Sequence, residues 1–468
     1  MESKKEKVKS QNYSSYQSPF AWRYGSEKMR QIFSEEYKYK LWRKIWVSLA
    51  KAQAKEGLVS EEEWKDLEKN QDNLDIERIW EIEKDTRHDV VAAIKEFAEK
   101  AKVGGGKIHL GATSMDISDN AETVRMQEAL ILVEKNLKKL IKIFGEKIKK
   151  YADLPCMGYT HLQAAEPTTL GYRFAFYAQD LLMDLKLLQF VKENLKSKGL
   201  KGAVGTSASY VKLLDGKKAK EMEEGVLSEL GIEAAEITSQ TAPRKIEFWL
   251  GNLLASIAQS LNKFAFDLRI LQAPFMNEWM EPFGKSQVGS SAMPFKRNPI
   301  KAEQICSLAR LVINLSRTTW DNAANQLLER TLDDSANRRV VIPEMFLAID
   351  EIIDTAGNLV EGLNINEIVI TKNLKFFFVF SASESIIIEA VKKGADRQVV
   401  HEILREISMK AWEAMDKAGE MRKLLLENAE IKKYLNAADL KKLLDAKNHI
   451  GNAPQKALTL ALEIDKLT

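Results

Sequence analysis

The sequence predicts a mainly α protein built on a long central helical bundle, and three observations carry that prediction. Prolines number only 10 in 468 residues, long stretches repeat apolar residues at helical spacing, and strand-like alternation is missing. Over 127–150, Leu130, Val133, Leu137, Leu140, Phe144 and Ile148 share one helix face, with Lys and Glu opposite. A similar pattern runs over 174–198 and meets Gly199, a residue type that ends helices. Residues 244–272, after Pro243, predict one helix about 40 Å long at about 1.5 Å per residue. A further helix is expected after Pro299, since proline suits the first helical turn, and it runs towards Arg330.

Several of these helices are apolar on more than one face. Leu250, Leu253, Leu254 and Ile257 lie close together, but Phe248, Trp249 and Phe264 surround them. An outer helix of a bundle needs one buried stripe, so wider coverage predicts central helices or an oligomer interface. Loop-like segments interrupt the pattern at 103–120, 201–209 and 283–299. Boundaries are expected near 113, where a glycine-rich loop ends, and near 365, after VEGLNIN. They divide the chain into an N-terminal helical domain (1–113), a central long-helix domain carrying the 283–299 loop (114–364) and a C-terminal helical domain (365–468).

Composition narrows the function. Hydrophobic residues make up 45% and charged residues 29%, a globular balance. Lys+Arg is 70 against Asp+Glu 67, and this small, dispersed excess leaves no basic footprint for nucleic acid. The Lys-rich start over 1–9 reads as a solvated tail, and no apolar signal segment follows it. The uncharged stretch 248–261 is too short to cross a bilayer and suits a buried helix, so no membrane partner is expected. Two cysteines, Cys156 and Cys306, make no disulfide framework and fit a reducing, cytoplasmic compartment. The five histidines (His88, His109, His161, His401, His449) show no HxxxH spacing and no CxxC is present, so no metal site is expected. No GxGxxG follows a strand, and no cofactor is expected.

Other motifs divide into empty and promising ones. Gly104, Gly105, Gly106 and Lys107 do not make a phosphate loop, because Ala101 and Ile108 occupy the first-glycine and Ser/Thr positions. Neither Ser290 nor Ser291 has glycine on both sides at the GxSxG spacing of a nucleophile elbow. The run GSSAMPFKRNP (289–299) differs in kind. Glycine and small residues let its backbone approach closely, two prolines fix its shape, and Lys296 and Asn298 offer donors. By composition it is either an ordinary surface loop or a reactive one. His88 (in TRHD) and His161 (in THLQ) sit among polar neighbours able to set tautomer and pKa, whereas His401 and His449 read as structural. The stretch 330–339 holds three arginines and two aspartates. It is either a solvated salt-bridge network or a clamp for a multiply charged anion, since guanidinium forks match carboxylate and phosphate.

The run GSSAMPFKRNP resembles the signature of the fumarase/aspartase superfamily. Within it, SPFAWRYGS, TRHDV, IHLGATS, GYTHLQ, SQTAPRK and LERTLDDSANRR resemble the adenylosuccinate lyases, and the likeness spans nearly the whole chain. The resemblance implies the three-domain fold of that superfamily and a β-elimination releasing fumarate from adenylosuccinate and from the succinylated aminoimidazole carboxamide ribotide, in purine biosynthesis. It implies Ser290 as base, His161 as acid, and Lys296 and Asn298 as stabilisers of developing carboxylate charge. It places Arg23, Tyr24, Arg87, His88, Asp89, Thr113, Ser114, Gln240, Arg330, Ser335 and Arg339 around the substrate. Two carboxylates and a phosphate give that nucleotide a charge of roughly −4, a load suited to four arginines and Lys296. A homotetramer whose sites combine loops from three subunits is implied as well, with loop closure excluding water. One position departs from the pattern: relatives often carry arginine after the glutamate that follows the signature, and here Gln304 follows Glu303. That change implies weaker substrate binding or an altered preference between the two substrates. A substrate such as argininosuccinate or a carboxymuconate fits LERTLDDSANRR less well, and a non-enzymatic scaffold, as among lens crystallins, has no need of Ser290, His161 and Lys296 together.

Overall fold

The computed structural model describes residues 14–284 and 286–467, so the Lys-rich start over 1–9 lies outside the described residues. Helices α1 to α5 (Glu27–Ile32, Glu35–Lys55, Glu61–Asn70, Ile76–Thr86, Asp89–Lys100) lead into α6 (Ser114–Lys150). A hairpin of β1 (Pro155–Thr160) and β2 (Gln163–Thr169) follows, then α7 (Leu170–Glu193), α8 (Ala208–Leu213), α9 (Gly216–Leu230) and α10 (Arg244–Gln272). Strand β3 (Trp279–Met280) precedes α11 (Ile300–Ala324) and α12 (Asp333–Gly362), and β4 (Asn364–Ile365) pairs antiparallel with β3. Seven helices complete the chain: α13 (Glu367–Ser381), α14 (Ser383–Lys392), α15 (Arg397–Glu413), α16 (Lys417–Glu427), α17 (Ala429–Tyr434), α18 (Ala437–Leu443) and α19 (Ala453–Asp465).

The chain divides into two compact units. The first comprises residues up to Glu134, Leu187–Ala258 and Leu308–Glu351; the second comprises Lys135–Lys186, Gln259–Ser307 and the residues from Ile352 onward. In the first, Trp42, Trp46, Leu67, Phe97, Tyr210 and Val226 are buried in one core. In the second, Phe378, Ile386, Leu404, Met421 and Leu425 form a core that also takes Met157 from β1. A separate aromatic stack there sets Phe174 against Trp279 at 5.1 Å and Phe144 edge-on to Phe264 at 5.4 Å, geometries that aromatic quadrupoles favour.

Helix starts follow their capping residues. Ser34 accepts from the Tyr37 amide, and Ser60 and Glu63 form a reciprocal capping box. The segment expected over 244–272 is α10, and the one over 127–150 lies within α6, whose 37 residues start 13 positions earlier at Ser114. Asp116 explains that early start. Its carboxylate accepts from the Thr113 amide at 3.0 Å and from Tyr210 Oη at 3.2 Å, and it pairs with the fully buried Lys198. The last seven residues of the expected loop 103–120, from Ser114 onward, are therefore helix.

Two helices end sooner than the periodicity suggests. Helix α7 stops at Glu193, because Ser197 leaves the helical path to bond with Glu233 and Ala235. Helix α11 stops at Ala324, and the Gln240 amide bonds instead to Glu329 O at 3.1 Å, holding 325–332 as a loop. In both cases a tertiary hydrogen bond overrides local pattern. The β1–β2 hairpin is a further departure from an expectation without strand alternation.

Candidate active site

A cavity of about 530 Å³ in the first unit gathers nine of the expected binding residues. Arg87, His88 and Asp89 come from the kink between α4 and α5, and Thr113 and Ser114 from the start of α6. Gln240 precedes α10, Arg330 precedes α12, and Ser335 and Arg339 lie on the first two turns of α12. The starts of α5, α6 and α12 thus border the same space, and helix N-termini attract anions through unpaired amides and the macrodipole.

The kink is shaped by backbone conformation. Arg87 ends α4 at φ 52°, a left-handed conformation that a non-glycine residue adopts at a cost of about 1–2 kcal/mol. His88 then caps α5: the Val91 amide donates to its Nδ1 at 3.4 Å, so the neutral ring carries its proton on Nε2. Asp89 accepts from Arg339 Nη2 at 2.7 Å, and this bond keeps the guanidinium charged despite partial burial.

The salt-bridge network expected over 330–339 is present, but it is buried rather than solvated. Arg338 bonds to Glu247 and, with Arg244, faces the fully buried Asp119; Arg244 Nε reaches Asp334 at 2.8 Å and Arg330 reaches it from the other side at 2.8 Å. Burial opposes ionisation of Asp119 and Asp334, but the arginines beside them hold both carboxyls below the usual aspartate range. Three arginines, two aspartates and a glutamate thereby anchor the start of α12. Arg330 and Arg339 remain at the cavity edge.

Arg23 and Tyr24 are not among the residues lining this cavity. Arg23 is exposed and its guanidinium lies 5.8 Å from the Tyr24 ring centroid. His161, Ser290, Lys296 and Asn298 all belong to the second unit. His161 and Leu162 form the two-residue turn of the β1–β2 hairpin, between paired Thr160 and Gln163, with φ of 54° and 60°. That turn type demands positive φ at both positions and normally selects Asn-Gly. His161 is exposed at the tip.

The signature segment folds on itself. Ser290 Oγ accepts from the amides of Ala292 and Met293 at 3.3 and 3.1 Å, and Asn298 donates to Gly289 O at 3.0 Å. A Cβ on Gly289 would lie 1.9 Å from Lys296 O, so only glycine fits where the loop closes. Lys296 is exposed, and Gln304, on the first turns of α11, accepts from Lys301 at 3.2 Å.

Sequence reasoning missed other residues lining the cavity: Lys38, Trp42, Glu122 and Arg125. They lie on α2 and α6, and no motif in the sequence marks them. Arg125 is in fact buried and donates to Ile32 O at 2.8 Å. His109, within IHLGATS, does not line the cavity. It accepts from Trp46 Nε1 at 3.0 Å, and burial lowers its pKa to about 4, so it is a neutral structural acceptor.

Residues 23–314 match the family described as Lyase, and residues 380–457 match the adenylosuccinate lyase C-terminus. The chain is 36% identical to the adenylosuccinate lyase of Pyrococcus abyssi, covering 93% of this chain and 95% of that one. It is also 36% identical to the adenylosuccinate lyase of Saccharomyces cerevisiae, covering 95% and 94%. Among solved structures, a fumarate lyase from Mesorhizobium sp. BNC1 superposes with a TM-score of 0.84 at 24% identity, over 96% of this chain and 99% of that one. The 3-carboxy-cis,cis-muconate lactonizing enzyme of Pseudomonas putida superposes with a TM-score of 0.84 at 24% identity, over 96% and 100%. At that identity the superpositions establish the fold, which is the one expected. The sequence relatives go further, and by them the chain belongs to the adenylosuccinate lyase family.

Proposed function

We propose that the chain cleaves adenylosuccinate to fumarate and AMP, and the succinylated aminoimidazole carboxamide ribotide to fumarate and AICAR, in purine biosynthesis. The observation that carries this reading is the 530 Å³ cavity lined by Arg87, Arg330 and Arg339 beside three helix N-termini. A cavity of this size suits a nucleotide, and its donors suit a substrate of charge roughly −4.

Ser290 removes the proton from the succinyl carbon beside a carboxylate, giving an aci-carboxylate carbanion. The electron pair then forms the C=C bond as the C–N bond breaks, and His161 gives its proton to the departing nitrogen. A serine is a weak base near neutral pH, so a cationic field and a dry site must favour its alkoxide. Lys296, six residues on in the same loop, is the source of that field, and with Asn298 it stabilises the carboxylate as it gains charge. Arg23 and Tyr24 complete substrate binding. The three-domain division at 113 and 365, a cytoplasmic location and a homotetramer with sites shared among three subunits belong to the same reading. Exposure of both His161 and the signature loop in the single chain supports sharing.

Purified protein mixed with adenylosuccinate is expected to release fumarate and AMP in equal amounts. Turnover of argininosuccinate instead, with none of adenylosuccinate, overturns the substrate. Ser290→Ala and His161→Ala are each expected to lower kcat by at least about a hundredfold with little change in Tm. Near-normal kcat in either variant refutes that residue's role.

A further inference from the structure

The carboxylate of Glu278, wholly buried in the second unit, is used by no step above, yet it collects three side chains from three different elements. Tyr159 Oη, on β1, donates to Glu278 Oε1 at 3.0 Å. Asn373, on α13, donates to the same oxygen at 3.0 Å and to Met276 O at 3.2 Å. Arg173, on α7, meets Glu278 Oε2 at 3.3 Å and with its other nitrogen grips Met157 O at 2.6 Å.

Two of these three links end on β1. Tyr159 is two residues from His161, and Met157 is four residues away. The backbone between them is irregular: the register of the hairpin shifts between Met157 and Tyr159. A shift of this kind re-aims side chains beyond it and leaves local pairing weak. The turn itself is held at positive φ by two residues without a glycine, a conformation that persists only when its surroundings over-determine it. The pairing of β1 with β2 alone does not meet that demand. The strap through Tyr159 and Arg173 does, and it is fixed at its far end because the Glu278 backbone carbonyl also accepts from Asn366 at 2.9 Å.

We propose that Glu278 is a positioning residue for the hairpin that presents His161, acting through Tyr159 and Arg173. This inference rests on the reading of His161 as the acid. Glu278 touches no substrate. Its carboxylate is an acceptor with lone pairs for all three donors, and an amide in its place turns one side into a donor that faces either Arg173 or the Tyr159 and Asn373 pair. A general acid must sit within hydrogen-bond reach of the leaving nitrogen, and a displacement of about 1 Å costs about a hundredfold in rate.

The test measures kcat and KM on adenylosuccinate for full-length Tyr159→Phe and Glu278→Gln, each in the native and the His161→Ala background. Tyr159→Phe is expected to lower kcat about tenfold and Glu278→Gln about a hundredfold, with KM changed much less than kcat. In the His161→Ala background neither variant lowers the residual turnover further, because both act through the missing imidazole. A folded Tyr159→Phe with native kcat overturns the proposal, as does an equal fold loss in both backgrounds, which marks a general structural effect. If Glu278→Gln fails to fold, Tyr159→Phe decides the matter alone. His161→Ala with near-native kcat removes the acid assignment and this proposal with it, whereas His161→Ala inactive beside an unaffected Tyr159→Phe removes the proposal only.

Discussion

Arg338 and Arg339 are adjacent on α12, one bound into a buried cluster and the other 60% exposed at the cavity edge. The cluster matters because Asp119, at its centre, is buried between Arg244 and Arg338. Asp119→Asn removes the charge but keeps the volume, leaving two buried guanidinium groups under-compensated. Breaking one partner of a buried ion pair costs about 3–5 kcal/mol, so Asp119→Asn is expected to lower Tm strongly and to disturb Arg330 through Asp334. A Tm within a degree or two of the native protein sinks this account. The pH dependence follows from the sign of the shift. Both aspartates have folded pKa values below their unfolded value of about 3.9, so their contribution is complete above that value. It is lost only as pH falls below about 4, through the folded values.

At the scale of elements, the β1–β2 hairpin holds its most costly conformation at its most exposed point. Leu162 is 68% exposed at φ 60°, so it gains little from packing within the chain while bearing left-handed strain. Leu162→Gly relieves about 1–2 kcal/mol of strain and adds about 0.5–1 kcal/mol of chain entropy to the unfolded state. The net expectation is a small rise in Tm, and a fall in Tm shows that the leucine side chain stabilises the turn instead. This hairpin was illegible in the sequence for a physical reason: Pro155, Gly158 and Pro167 break the alternation that identifies strands, and pairing rather than propensity makes it. Helix α10 was legible because its 29 residues carry their own periodicity. The ends of α7 and α11 were not, since they are set by hydrogen bonds to residues 233–235 and to Gln240. The site divides in the same way. Arg87, His88, Thr113 and Arg339 were readable as motif residues, whereas Trp42 and Arg125 look like any helical residue until the chain brings them to the cavity.

For the whole molecule, the apolar surface on α7 bears on assembly. Tyr172, Phe176, Met183 and Phe190 are 39%, 44%, 61% and 46% exposed, and their separations of four and seven residues put them on one helix face. A partly exposed stripe of large apolar side chains is the kind of surface that the proposed homotetramer, as a closed symmetric oligomer, would cover once on every copy. If the active sites of that oligomer take His161 from one subunit and Ser290 from another, two inactive variants can repair each other. His161→Ala and Ser290→Ala, mixed, dissociated and reassembled together, produce some sites with one intact copy of each residue. For equal mixing and random assembly, roughly a quarter of the sites regain both groups. Recovered kcat near that fraction of native supports shared sites. A mixture no more active than either variant alone, despite confirmed subunit exchange, shows that each site is built from one chain and removes the sharing from the proposed assembly.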